Sequence, residues 1–99
     1  MSVQTIKSLL QHDSSTSPQK IGFLLLNDFS MLAFASAIEP LRAANRQSNR
    51  DLYAWVIASP TGTPAVASNG VEVASDGDAV VLQDCRMVFS TLSTGTKKR

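Results

Sequence analysis

Residues 20–45 read KIGFLLLNDFSMLAFASAIEPLRAAN, and the break at Asn27-Asp28 decides the fold. Before it, residues 21–26 form an apolar run with no polar alternation. Such a run suits a strand covered on both faces, as a parallel sheet requires. After it, Met31, Phe34, Ala35, Ile38 and Leu41 recur at helical spacing. Ala33, Ala37, Ala43 and Ala44 widen that stripe with small side chains, which permits close approach to a sheet. Asp28 or Ser30 is placed to cap the helix by accepting a bond from its free amides. Pro40 removes one backbone donor inside the pattern and is expected to bend or restart the helix. A buried strand passing at once into a buried helix opens an α/β fold, and the turn between them lies where such folds gather ligands.

Working outward, residues 52–58 (LYAWVIA) are aromatic and β-branched and predict a second strand. Residues 59–64 (SPTGTP) are a turn on composition. Asn69-Gly70 lies between residues 65–68 and 71–74 and is a strong hairpin signal. Asp76-Gly77-Asp78 opens a loop, residues 79–82 fit a helical turn, and residues 85–89 (CRMVF) predict a last short strand. Strands joined by helical or long connections should be parallel with a right-handed crossover, and the hairpin should sit at the sheet edge. Residues 1–19 are expected to form a flexible leader, with a polar linker at residues 13–19 and a short helical turn around residues 6–10, and residues 90–99 a polar tail.

Composition narrows the function. A chain of 99 residues has room for one small core. Nine Lys and Arg against eight Asp and Glu leave a net charge of +1, and three of the basic residues are the last three, Lys97, Lys98 and Arg99. That balance argues against non-specific nucleic-acid binding, which needs a basic excess. The single Cys85 excludes an internal disulfide and a cysteine-based metal cluster. The first ten residues lack a signal-peptide core, and the apolar windows fall short of the ~20 residues needed to span a bilayer. A soluble, cytoplasmic protein is the expectation, with no membrane partner and no cofactor.

Several residue groups invite a functional reading. Cys85, the only thiol, begins an apolar strand, where a free cysteine is ordinarily a small buried hydrophobe rather than a nucleophile. Glu39 and Arg42 are three apart and pair across one helical face. Arg42, Arg46 and Arg50 sit towards the carboxyl end of the helix, where its dipole and solubility explain them without a phosphate ligand. His12 has no second metal ligand near it, and Asp76 and Asp78 lack the closing Glu of a calcium loop. The best ligand-site candidate is the turn Asn27, Asp28, Phe29 and Ser30, where helix-terminal amides are free to meet an anionic group.

The segments IGFLLLNDFSMLAFASAIEPLRAANR and LYAWVIASPTGTPAVASNGVEV together resemble the amino-terminal domain of AraC-type transcriptional regulators of the GlxA type. The sensor half of those regulators is a ThiJ/PfpI, class I glutamine amidotransferase-like domain. Glu39, Pro40, Leu41, Arg42 and Asn45, the EPLRAAN segment, are the most specific part of the likeness. It covers residues 20–89, roughly the first two-fifths of such a sensor domain. The resemblance implies a partial three-layer, flavodoxin-like α/β/α sandwich with a mostly parallel sheet and an appended β-hairpin. It also implies a small effector, amine or amino-acid-like, and pairing with a second copy or a paralogue. DNA would be met only through a carboxyl-terminal helix-turn-helix domain.

Two departures qualify what the resemblance implies. Relatives continue from the strand at residues 85–89 into a Gly-Gly loop and later a strand-turn-helix elbow that carries a nucleophilic Cys in the enzymes; here Ser90-Thr91-Leu92-Ser93 follows. The hydrolytic relatives also place an acid early in the first helix, and the matching position here is Ala33. A carboxylate within hydrogen-bond reach is what proton transfer needs. The expectation is a truncated, non-catalytic sensor and dimerisation domain. The alternatives are a fragment or stand-alone relative of the ThiJ/PfpI hydrolases, and a short interaction module that pairs with a full-length paralogue.

About seventy patterned residues give a marginal core, and the last strand would lie unpaired at an edge. The monomer should therefore unfold at low denaturant in a chemical melt. A steep, cooperative transition at high denaturant from a strictly monomeric sample would contradict that.

Overall fold

The computed structural model describes residues 18–91. Most of the leader, with its expected helical turn, and most of the polar tail lie outside the described residues. The observed order is β1 (Gln19–Leu24), α1 (Met31–Ser48), β2 (Tyr53–Ala58), β3 (Ala65–Val66), β4 (Glu72–Val73), a 3-10 turn (Ala79–Leu82) and β5 (Met87–Ser90). β1 begins two residues before the expected run at residues 21–26 and ends two residues before its end.

β1 is the centre of a three-stranded parallel sheet in the order β2-β1-β5. Phe23 stands opposite Ile57 on one side and Phe89 on the other. With neighbours on both edges, the strand has no backbone left to solvate, and Ile21, Gly22 and Phe23 are buried. This is the setting in which an unbroken apolar run is expected. The sequence-based α/β reading, with a mostly parallel sheet and a separate hairpin, matches this architecture.

α1 packs its apolar stripe on one face of the sheet. Phe34 is buried, with Met31, Ile38 and Leu41 packed against the same cluster as Ile21, Phe23, Leu25 and Phe29. Phe23 meets Phe34 edge-on at 5.6 Å between ring centres, and Phe29 meets it edge-on at 6.0 Å. Such geometries align ring edges with ring faces and add to the area term. The helix continues through Pro40 instead of restarting there. Pro40 is exposed, so the face that loses its amide bond is turned to water.

Side chains alternate across a strand, so Gly22 faces away from α1. A Cβ there would lie 2.6 Å from Leu82 Cδ2 and 3.0 Å from Cys85 Sγ. The glycine thus lets the 3-10 turn close over the second face.

The helix end is tied to the sheet by Asn45. Its Nδ2 donates to the Tyr53 carbonyl (2.9 Å) and its Oδ1 accepts from the Tyr53 amide (3.0 Å). A two-pronged amide clamp of this kind fixes where β2 starts relative to α1. Asn49 then ends the helix in the left-handed conformation, its amide bonded to Arg46 O and Asn45 O.

The hairpin departs from expectation in two ways. It does not extend the sheet edge, and instead docks on the loop that follows β1: Asp28 N donates to Val66 O (2.7 Å) and Ser68 N donates to Phe29 O (2.8 Å). Ala65 and Ala67 are buried in the core cluster, so the hairpin is drawn over the strand's carboxyl end by burial of its own apolar face. Its turn is closed by Gly70 N donating to Ala67 O (2.9 Å). Gly70 has φ of +88° while Asn69 is not in the positive-φ region. That is a type I turn followed by a left-handed glycine, not a two-residue Asn-Gly turn.

Asn45→Ala removes both prongs and leaves the half-buried Tyr53 backbone groups short of partners, a loss of about 1–3 kcal/mol. Thermal unfolding should show a fall of several degrees, and an unchanged midpoint would contradict the clamp.

Candidate functional site

The turn after β1 is built from residues with separate duties. Asn27 is exposed, and its Oδ1 accepts from Val66 N (3.2 Å). Asp28 has φ of +67°, a left-handed conformation that Asp tolerates better than most residues. Phe29 is fully buried under α1 and the hairpin. Ser30 is the helix cap, its Oγ accepting from Ala33 N (3.1 Å). Of the two capping candidates it is therefore Ser30, not Asp28, that caps. The loop is braced by the hairpin, and Asn27 and Phe29 are spent on that bracing.

A cleft lies next to this turn. A cavity of about 370 Å³ opens on the α1 side of the sheet, between the first turns of the helix and the carboxyl ends of β1 and β5. Phe23, Phe34 and Phe89 give it aromatic walls, and Ala33 and Ala37 leave the helical side open. Phe89 stacks on Phe23 with ring centres 5.6 Å apart and planes 16° from parallel. The hydroxyls of Ser30, Ser90 and Thr91 form the polar rim. Thr91 is locked there: its amide donates to Leu24 O (3.0 Å) and its Oγ1 accepts from Leu26 N (3.1 Å).

Of the four turn residues expected to hold a ligand, Ser30 lines this cleft and the other three do not. The residues that sequence reasoning passed over are Ser90 and Thr91, read as the start of a polar tail. The rule that ligands gather at the carboxyl ends of parallel strands would have reached them had it been applied to the last strand as well as to the first.

No Asp, Glu, His, Lys, Arg or Cys is among the lining residues. Ala33, in the first turn of α1, lines the cleft on its helical side. Cys85 is half-buried on the opposite face of the sheet, beside Gly22. The geometry suits binding of a small, partly apolar molecule with hydroxyl contacts, and supplies no group for proton transfer.

The remaining candidates keep structural roles. Glu39 and Arg42 form an exposed ion pair at 2.9 Å, a kind that contributes little to stability. The hydrogen bond and charge of Glu39 raise the Arg42 guanidinium above its ordinary value. Pro40 is exposed and Leu41 packs against the core. Arg46 and Arg50 are exposed. Asp76 Oδ2 accepts from Ile57 N (2.8 Å) and Asp78 Oδ1 accepts from Val80 N (3.0 Å), so both aspartates serve the backbone. Among the described residues, no three His, Cys, Asp or Glu side chains gather as a metal site. His12 lies outside them.

No protein-family model matches the chain. It is similar to the HTH-type transcriptional regulators GbdR and CdhR of Pseudomonas aeruginosa, at 45% identity over 73 residues and 48% over 71. It is also 40% identical over 75 residues to the HTH-type transcriptional regulator GlxA of Rhizobium meliloti. These matches take in 72–76% of this chain and 20–23% of the regulators. The chain thus spans about a fifth of the length of the curated relatives it matches. A solved AraC family transcriptional regulator from Pseudomonas putida has the same fold with a TM-score of 0.69 and 25% identity, over 83% of this chain and 51% of that one. These relatives are regulators and not enzymes.

Ser30→Ala removes the helix cap next to the cleft at a cost of about 1 kcal/mol. Ser30→Asp should restore most of it, because a carboxylate both caps the amides and suits the helix dipole. Denaturant midpoints in the order wild type, Asp, Ala are expected, and an Ala variant as stable as wild type would contradict the capping role.

Proposed function

We propose, from the premise that this chain is homologous to AraC-family transcriptional regulators, that it forms the opening part of an effector-sensing domain. The effector is a small metabolite, amine or amino-acid-like, held in the aromatic cleft between α1 and β5. Phe23, Phe34 and Phe89 would supply the apolar contact, and Ser30, Ser90 and Thr91 the hydrogen bonds that orient it. The observation that carries this reading is the lining itself, concave, aromatic and free of titratable groups, at the carboxyl ends of a parallel sheet.

The domain acts without catalysis. Ala33 stands where a proton-transferring acid would be needed, and the sole cysteine packs on the far face. The likeness to regulators rather than enzymes supports the same conclusion. DNA contact belongs to a separate helix-turn-helix domain: the described residues contain one α-helix, α1, and one 3-10 turn. Among them, no helix is long and apolar enough to cross a membrane, and a cytoplasmic setting suits a regulator. Residues 20–89 are the sensing unit, and a second copy or a paralogue is its protein partner.

Ala33 is exposed on the helix and borders the cleft. Ala33→Phe should fill the space without disturbing the core. In a thermal-shift screen of amines and amino acids, the wild type should respond to one ligand class, and Ala33→Phe should lose that response while its unliganded melt stays in place. An equal response in both proteins would reject the cleft as the effector site.

A further inference from the structure

The hairpin turn carries a chemistry that neither the cleft nor the sheet uses. Of the four asparagines, Asn27, Asn45, Asn49 and Asn69, only Asn69 is followed by glycine. An asparagine side chain is open to attack by the backbone nitrogen of the next residue, and a side chain on that residue crowds the attack. Gly70 has none, and among the described residues nothing lies within 4 Å of where its Cβ would stand. Asn69 and Gly70 are both exposed, so water reaches them.

The turn prepares one reactant and holds the other. Asn69 Oδ1 accepts from Val71 N (3.0 Å). That bond folds the side chain back over the Asn69–Gly70 peptide and stabilises the negative charge that attack would place on the oxygen. The nucleophile is Gly70 N, which donates its proton to Ala67 O (2.9 Å). A nitrogen bonded in this way keeps its proton and cannot swing towards the side chain. Ala67 is itself fixed. It is buried in the core, its amide donates to Val71 O (2.9 Å), and the next amide, Ser68 N, donates to Phe29 O (2.8 Å). Seating of the hairpin on the turn after β1 therefore keeps Gly70 N occupied.

We propose that Asn69 is a modification site, an asparagine that converts to aspartate and isoaspartate when the hairpin lifts from the turn after β1. Such local openings precede global unfolding. Hydroxide takes the proton of Gly70 N, and the nitrogen forms a bond to Asn69 Cγ. The side-chain nitrogen takes a proton from water and leaves as ammonia. Water then opens the succinimide ring at either carbonyl, and nothing is oxidised or reduced. Opening at the backbone carbonyl gives isoaspartate, with one extra carbon in the main chain. The loop of residues 68–70 then no longer fits the Ala67–Val71 closure, and the hairpin stays loosened. No effector takes part, so the site stands apart from the cleft.

The test follows the full 99-residue chain in heavy-oxygen water at mildly alkaline pH, with peptide mass mapping over time. Heavy oxygen marks only the succinimides opened during the incubation. The chain is kept folded, as circular dichroism reports, or unfolded in urea. In urea Asn69 should convert faster than Asn27, Asn45 and Asn49. Folding should slow it about tenfold or more, the factor that one retained hydrogen bond supplies. Asn27→Ala removes the acceptor of Val66 N (3.2 Å) and should raise both Asn69 conversion and hydrogen exchange at Gly70 N. The same two rates should rise together in the wild type as urea is added below its unfolding transition, a reading that does not depend on the variant folding. Conversion in urea no faster at Asn69 than at the other asparagines would overturn the site. A folded chain that converts as fast as the unfolded one, or faster, would overturn the protection by Ala67. Conversion that stays flat while Gly70 exchange rises would overturn the link to hairpin seating.

Discussion

Everything in this molecule depends on β1 being paired on both sides. A strand hydrogen-bonded to β2 and β5 has no edge of its own, and its side chains fill two faces that must each be covered. α1 covers one face through Phe34, Met31, Ile38 and Leu41. The 3-10 turn covers the other, and comes close only because residue 22 has no side chain. Parallel pairing also sets the connection: the chain must cross back over the sheet between β1 and β2, and the crossover is α1.

The same constraint creates the cleft. α1 joins β1 to β2, so β5, on the other side of β1, receives less of the helix's cover. Phe89 consequently stacks on Phe23 from the sheet while remaining half open on its outer side. Small residues at 33 and 37 keep the helix from filling that space. A cleft of this origin is a by-product of topology that a sensing domain can use, since its walls are rigid elements and its rim is a capped helix and an anchored threonine. The price is an apolar strand left at the sheet's margin.

Much of this was legible in the sequence because the deciding features are local. The unbroken run at residues 21–26 carries the burial of the central strand, and the spacing of Met31, Phe34, Ile38 and Leu41 carries the helix face. The EPLRAAN segment pointed to the AraC-type regulators, the group to which the structural and sequence relatives belong. What stayed hidden depends on long-range placement. The hairpin's seat over the turn follows from Ala65 and Ala67 finding the core beside Phe29, and no local pattern encodes that. Asn45 reaching eight residues ahead to Tyr53, and Thr91 reaching back to Leu24 and Leu26, are equally invisible until the strands are set side by side. The helix runs on through Pro40, whose exposed position lets water meet the carbonyl that loses its amide partner.

The most direct measurement is a two-dimensional amide NMR titration of the isotopically labelled chain with an amine or amino-acid ligand. A sensor working through this cleft will show saturable shifts at Ser30, Ala33, Phe34 and Ala37 and at Phe89 to Thr91, with the amides of β2 and the Asn69-Gly70 turn unmoved. Shifts confined to other surfaces, or none at millimolar ligand across both classes, would contradict a sensing role for the cleft.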